Sequence, residues 1–249
     1  MADRDTLTGR AASFADVADE YERARPRYPE DAVRWLAGDS LCDVVDLGAG
    51  TGKLTRSLVA HGHRVTAVEP LAEMLAQLRA AVPAAVAVIG SAESIPLQDA
   101  SADVVTAAQA FHWFDRPVAL REIARVLRPG GRIALVWNAR DDTEEWVAEF
   151  TDTVIAGSAF RKGGVAGATA SIDESGLYGP VERATYTHVQ TLRRSELLEL
   201  VRSRSDCAVL SEEERRPVLE HVDALFDAHA TDGRLVMPYV TECFRAPLA

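Results

Sequence analysis

The sequence predicts an α/β fold built on a doubly wound, mostly parallel sheet. Three observations carry that prediction. Apolar runs of four to six residues alternate with helical-period segments as far as Trp137, a glycine-rich turn joins the first run to its helix, and Pro129-Gly130-Gly131 sets the last such helix apart from the strand after it.

Taken in order, Phe14–Tyr21 carries the first helical pattern, and a second helix begins at Pro29, where Pro-Glu-Asp makes a favourable first turn, and runs to Leu36 ahead of Gly38. Asp43–Leu47 reads as a buried parallel strand by its brevity and composition. Thr51–Ala60 is the following helix, with Leu54 and Leu58 towards the sheet and His61-Gly62 ending it. After a second strand at Val65–Val68, Leu71, Met74, Leu75 and Leu78 recur at i, i+3, i+4, i+7, one apolar helical face that Pro83 stops. Val86–Ile89 and Asp103–Ala108 are strands three and four, Leu120, Ile123, Ala124 and Leu127 mark the next helix, and Ile133–Trp137 is strand five. Such a succession needs right-handed crossovers.

Past Asn138 the alternation stops. Glu144–Ile155 reads as a helix, and Ala156–Ala170, rich in small residues, as a mobile stretch. Val181–Val189 alternates like a strand, and helices are expected over Ser195–Arg202 and roughly Glu213–His229, where Pro217 leaves the start open. A last strand falls near Leu235–Arg245. The expected division is a helical cap over 1–40, a ligand-binding core over 41–140, and a C-terminal part over 141–249 with a helical insertion between the last two strands.

A chain of 249 residues, 47% hydrophobic and 26% charged, buries a full core. Its net charge of −11 argues against a nucleic-acid partner, because phosphate binding rests on basic neutralisation. No apolar run reaches the roughly 18–20 residues that span a bilayer, and the N-terminus lacks a leader's apolar stretch, so no membrane partner and a cytoplasmic location are expected. Cys42, Cys207 and Cys243 are scattered, without the spacing of a disulfide framework or a zinc site; no metal is expected.

The glycine turn, Asp46-Leu47-Gly48-Ala49-Gly50-Thr51-Gly52, carries the chemistry. Glycines there bend the chain sharply and let a ligand approach without a Cβ in the way. Glu69, at the end of the next strand, answers the loop with a carboxylate able to accept from both hydroxyls of a ribose. A nicotinamide dinucleotide and S-adenosylmethionine (SAM) both use such a frame. The dinucleotide fingerprint is GxGxxG, whereas here the spacing is GxGxG and Lys53 stands where the third glycine belongs. Asp46 suits a loop-orienting or ammonium-facing role, or simply caps the turn.

Several separated segments together resemble the class I SAM-dependent methyltransferases, in the small-molecule branch whose segment after strand four reads Phe-His-Trp-Phe-Asp. They are the glycine loop, Val68-Glu69-Pro70, Ala92-Glu93 followed by Ile95-Pro96-Leu97, Phe111–Asp115, and Leu127-Arg128-Pro129-Gly130-Gly131. The resemblance implies a Rossmann-like sheet of seven strands with the last antiparallel, and SAM over the C-terminal ends of strands one to four. It implies that Gly48, Ala49 and Gly50 line the methionine portion and that Glu69 holds the ribose. Pro70 and Met74 would pack near the adenine, Ala92 and Glu93 at its edge, and Gln109 and Ala110 near the sulfonium. Met74 reads equally as helix core. In the N-terminal segment that folds over the cofactor in this family, Tyr21, Arg25 and Tyr28 are candidates to reach the SAM carboxylate or close the pocket.

Methyl transfer from a sulfonium is an in-line displacement that asks the protein for alignment and exclusion of water, and for no metal or covalent intermediate. His112 is the candidate base or orienting group, and Trp113, Trp137, Asn138 and Arg140 are candidates to shape the acceptor pocket. The leading function is methylation of a small molecule, carboxylate or hydroxyl oxygen slightly preferred, with S-adenosylhomocysteine as product. A nicotinamide oxidoreductase and a SAM-binding regulator that does not catalyse are the alternatives.

Overall fold

The computed structural model describes residues 25–155, 165–202, 207 and 210–249. The elements are α1 (Glu30–Ala37), β1 (Asp43–Leu47), α2 (Lys53–Ala60), β2 (Arg64–Glu69), α3 (Ala72–Ala81), β3 (Val86–Ile89), β4 (Ala102–Ala108), α4 (Arg116–Val126), β5 (Leu127–Arg140), α5 (Glu145–Ile155), α6 (Val165–Ser175), β6 (Glu182–Leu192), α7 (Arg194–Arg202), α8 (Glu212–His229) and β7 (Leu235–Pro247). A single 3₁₀ turn, Phe111–Trp113, lies between β4 and α4. The expected helix over Phe14–Tyr21 lies outside the described residues. No described helix is long and apolar enough to cross a membrane.

The seven strands are ordered β3-β2-β1-β4-β5-β7-β6, with an antiparallel last strand. β1 pairs in parallel with both β2 and β4, so the strand order reverses there and a crevice opens beyond their C-terminal ends. That reversal positions the site.

Two compact units divide the described residues. The first comprises 27–138, 165–186 and 241–249. Its strands are apolar on both faces, as parallel strands covered on both sides must be. In β4 and β5 the alternation sorts the core: Val105, Ile133 and Leu135 join Leu120 and Ile123 of α4 and Ile172 of α6, whereas Val104, Ala134 and Val136 join Val33 and Leu36 of α1 and Leu54 and Leu58 of α2. α1 shares a core with β1. The second unit, from the remaining described residues, packs Val147 and Phe150 of α5, Leu197 and Val201 of α7 and Val222, Leu225 and Phe226 of α8 onto Leu235, Met237 and Tyr239 of β7.

Two expectations are corrected. Pro129-Gly130-Gly131 is no free turn but a bulge within a continuous β5, where the register against β4 jumps from Ala102↔Leu127 to Val104↔Arg132. Of the stretch expected to be mobile over Ala156–Ala170, residues 165–170 belong to α6, whose small side chains allow close packing and bury Ala168 fully. The start of α8 is settled by a capping box, Ser211 Oγ accepting from the Glu214 N–H and Glu214 Oε2 accepting from the Ser211 N–H, which tolerates Pro217 five residues into the helix.

Arg132 of β5 joins sheet to helix by donating from Nε to the Leu36 carbonyl, 3.1 Å, and from Nη2 to the Ala37 carbonyl, at the C-terminus of α1. Those carbonyls have no partner within the helix. Arg132→Met should therefore cost about 2 kcal/mol, the loss of two charge-assisted hydrogen bonds, read as a lower denaturation midpoint at an unchanged slope.

Candidate active site

The crevice begins at β1. Asp46 is 1% exposed, and its two oxygens accept from different elements: Oδ2 from Thr55 Oγ1 of α2 at 2.6 Å, and Oδ1 from Thr106 Oγ1 of β4 at 2.9 Å. Burial pushes its carboxyl up to about 6, against the pull of those hydroxyls. Of the roles expected for Asp46, this geometry is that of a loop-orienting group.

The glycine loop leaves β1 with backbone bonds from Gly48 N and Ala49 N to the Val68 carbonyl, 2.9 and 3.3 Å. Gly48 and Gly50 both have left-handed φ, +62° and +57°, for different reasons. A Cβ at Gly48 would stand 2.7 Å from that of Ala110, so the loop rests against the end of β4, whereas among the described residues a Cβ at Gly50 would meet only Met74 Sδ, at 3.7 Å. Gly50 thus keeps an open face. Met74 is 5% exposed beneath it, and Pro70 is exposed.

Glu69 closes the loop. Its Oε2 accepts from Gly50 N at 2.9 Å and its Oε1 from Leu71 N at 3.1 Å; it is buried, and its carboxyl is raised, by desolvation first. Each oxygen keeps a further lone pair for a diol.

On the far side, Ala92 is buried and Glu93 half-buried, Glu93 Oε1 accepting from the Asp115 N–H at 2.9 Å. A network unforeseen from the sequence pins this loop: Glu122 Oε2 accepts from Ile95 N, and Arg125, paired with Glu122 and Asp99, donates to the carbonyls of Ile95 and Leu97. Two opposite charges three apart on one helix were its only sequence signal. Thr106, a polar residue mid-strand among small apolar ones, was a similar signal for the Asp46 pair.

Gln109 ends β4 in a left-handed conformation, φ +56°, donating from its N–H to the Val136 carbonyl and from Nε2 to the Asn138 carbonyl, both at 2.9 Å. Asn138 is itself engaged at both ends of its amide: Nδ2 donates to the Arg27 carbonyl at 3.2 Å and Oδ1 accepts from Thr241 Oγ1 at 2.6 Å. Thr241, on a remote strand, had no local signal. The 3₁₀ turn buries Phe111 and leaves His112 and Trp113 half-buried with ring centroids 4.8 Å apart. Phe114, also not foreseen, puts its ring edge 3.6 Å from where a Gly48 Cβ would lie. Burial, then the Arg116 guanidinium, push the His112 imidazole down to about 4, so the ring is neutral near pH 7.

Trp137 does not face this crevice. Trp137 is 1% exposed in the core, edge-on to Phe244 at 6.0 Å, because its side chain points into the sheet face under α4 and α6. Arg140 belongs to the second unit, its guanidinium 4.7 Å over the Phe150 ring. Arg25 is half-buried in that same unit, and Tyr21 lies outside the described residues.

Residues 45–135, which hold the loop and both strand ends, match the family described as "Methyltransferase domain". An uncharacterized methyltransferase of Mycobacterium tuberculosis is 44% identical over 240 residues, covering 95% of this chain and 96% of that one. A methyltransferase-like protein of Schizosaccharomyces pombe is 38% identical over 218 residues, 84% of each. A solved structure from Anabaena variabilis, described as a methyltransferase of an antibiotic biosynthesis pathway, superposes with a TM-score of 0.66 at 21% identity, over 86% of this chain and 95% of that one.

The Asp46 carboxyl sets a pH dependence with a definite sign. Between about pH 4 and 6 the folded chain holds this proton more tightly than the unfolded chain, so the stabilisation it brings is present in acid and is lost as pH rises through the folded value of about 6. Asp46→Asn keeps a partner for both hydroxyls and has no proton to lose. Denaturation series at pH 4, 5, 6 and 7 should show a fall in the parent protein that is smaller in the variant; parallel curves would show that Asp46 ionises as freely folded as unfolded.

Proposed function

The chain belongs to the class I SAM-dependent methyltransferases, and from that premise we propose that it transfers the methyl group of SAM to an oxygen of a small-molecule acceptor, carboxylate preferred over hydroxyl, by positioning alone. The observation that carries the binding half is the buried Glu69 carboxylate, fixed by Gly50 N and Leu71 N beside an open-faced Gly50. These residues fit SAM: Gly48, Ala49 and Gly50 would line its methionine portion, Glu69 its ribose hydroxyls, and Pro70, Met74, Ala92 and Glu93 its adenine. When bound, the sulfonium supplies an already activated methyl.

The protein's part is to bring the acceptor oxygen into line and keep water out. Gln109 and Ala110 end β4 directly against the glycine loop and would face the transferring methyl. His112 and Trp113 would shape the acceptor side. A ring whose conjugate acid lies near 4 is a poor acceptor for a hydroxyl proton, which favours an orienting role for His112 and an acceptor oxygen that is ionised already. A carboxylate needs no base. Asn138, with its amide engaged, acts by holding Gln109 and the segment at Arg27 in place. Arg140, Arg25 and Tyr21 remain candidates for ligand contact. Small-molecule methylation fits a soluble location such as the cytoplasm and a chain too acidic for nucleic acid.

Calorimetry with SAM, S-adenosylhomocysteine and NADH tests the ligand: SAM and its product should bind and NADH should not. Glu69→Ala should weaken SAM at least 10-fold, the loss of two charge-assisted hydrogen bonds, and unchanged affinity would remove Glu69 from the site. Turnover of a carboxylic-acid panel then separates an enzyme from a SAM-binding regulator. His112→Ala should lower that turnover about 10- to 100-fold while SAM affinity changes less than threefold. In the parent protein no limb of the rate profile between pH 6 and 8 should belong to His112, because its proton leaves near pH 4. A limb there that vanishes in His112→Ala would restore the base.

A further inference from the structure

Between Ile89 and Ala102 the chain carries Ala92 and Glu93 but runs without a strand or helix, so its backbone groups take partners from elsewhere. α4 supplies them from one guanidinium. Arg125 donates through all five of its N–H groups: Nε and Nη2 to the two oxygens of Glu122 at 2.9 and 2.8 Å, Nη1 to Asp99 Oδ1 at 2.7 Å, and Nη2 and Nη1 to the carbonyls of Ile95 and Leu97, both at 2.9 Å. Glu122 Oε2 in turn accepts the Ile95 N–H at 3.0 Å. The start of the same helix holds the segment a second time, through the bond from the Asp115 N–H to Glu93 Oε1.

The other side of the segment rests on the strand that ends in Glu69. Pro96 folds back over Gly90: a Cβ at residue 90 would lie 2.6 Å from Pro96 Cδ and 3.0 Å from Val68 Cγ1, so glycine is what lets the segment close on β2. Gly90 also donates its N–H to the Glu69 carbonyl at 3.3 Å. Ile95 is buried in the core cluster of Val68, Val105 and Ile123, and Leu97 packs against that cluster. A shift of Ile95 or Leu97 therefore drives Pro96 against Gly90 and carries Ala92 and Glu93 with it. The gain in stability is the smaller effect. Asp99 is 78% exposed, and ion pairs at such positions contribute little. A guanidinium with every donor assigned to one loop and its two carboxylates acts chiefly on where that loop stands.

We propose that Arg125, acting through Glu122 and the Ile95 and Leu97 carbonyls, is a positioning residue that sets the loop of Ala92 and Glu93 against a nucleobase, and with it the discrimination of adenine from a purine with a different edge. The identity of that ligand rests on the SAM reading; the bracing of the loop does not. Polar recognition of a base edge needs its partners held to within about 0.5 Å. The planar fork does this by grasping Glu122 and both carbonyls at once, which the single flexible ammonium of a lysine could not reproduce.

The test uses the full chain, with S-adenosylhomocysteine and S-inosylhomocysteine, in which a carbonyl replaces the adenine amino group, as probes for calorimetry, and backbone hydrogen exchange alongside. The parent protein should bind the adenosine compound about 10-fold or more tightly than the inosine one. Arg125→Met should bring the two within about threefold of each other, by weakening the first and sparing the second, and should quicken exchange of the Ile95 N–H. Arg125→Lys, which keeps a charge for Glu122, should show the same loss to a smaller degree. A brace that served stability alone would lower the melting temperature and weaken both ligands by one factor. That result overturns the proposal, as does a parent protein that binds the two ligands equally, or a discrimination that Arg125→Met leaves unchanged. Failure of the SAM reading looks different and takes the proposal with it: neither ligand binds the parent protein, while Ile95 exchange still quickens in Arg125→Met.

Discussion

Asp46 is almost wholly buried at the C-terminal end of β1, and its two oxygens take hydroxyl protons from Thr55 of α2 and Thr106 of β4. β1, α2 and β4 are the three elements that meet where the strand order reverses. A parallel sheet opens a crevice there because the crossovers from β1 and β4 leave to opposite faces. Without a tie across it, the mouth of that crevice would be set only by apolar packing below. The carboxylate fixes its width, and the glycine loop leaves β1 two residues later at a height that this width dictates. Gly48 then has to be glycine, because the end of β4 comes within 2.7 Å of any Cβ it might carry.

Around that tie, the polar side chains near the crevice are already committed. Glu69 holds two backbone N–H groups, Glu93 holds Asp115, and Gln109 and Asn138 form a chain of amides and carbonyls from β4 through β5 to Thr241 of β7. Groups so engaged lose little further freedom when a ligand arrives, which is how a site built for alignment lowers the cost of binding. The left-handed backbone of Gln109 belongs to the same logic. A non-glycine residue there is strained by about 1 kcal/mol or more, and the two bonds it makes to β5 offset that while turning the chain towards His112.

How much was legible in the sequence follows from the range of each interaction. β1 and β3 fall on the expected residues, and α1, α2, α5, α7 and α8 fall within two residues of theirs, because apolar period and Gly/Pro punctuation act locally. The glycine loop and Glu69 were legible for the same reason. Trp137 was misplaced because a residue at a strand end faces ligand or core according to its parity, and the continuous apolar run of β5 conceals parity. The bulge at Pro129-Gly131 was hidden because its register depends on β4, twenty-five residues earlier in sequence. Thr241 entered the site's surroundings through β7, which pattern reading sees only as a strand.

Electrostatics then separates two kinds of group in an acidic chain. Asp46 and Glu69 are buried acids whose ionisation is opposed by desolvation and eased by fixed hydrogen-bond donors; neither has a cation for a partner among the described residues. Placing cations beside them would have made them ion pairs and taken away their freedom to accept from a loop or a diol. His112 shows the same desolvation acting on a base: burial, then the Arg116 guanidinium beside it, keep its ring neutral. In each case burial holds the group towards its neutral form, and a counter-charge arriving beside it would ease its ionisation without moving the hydrogen bonds that fix it.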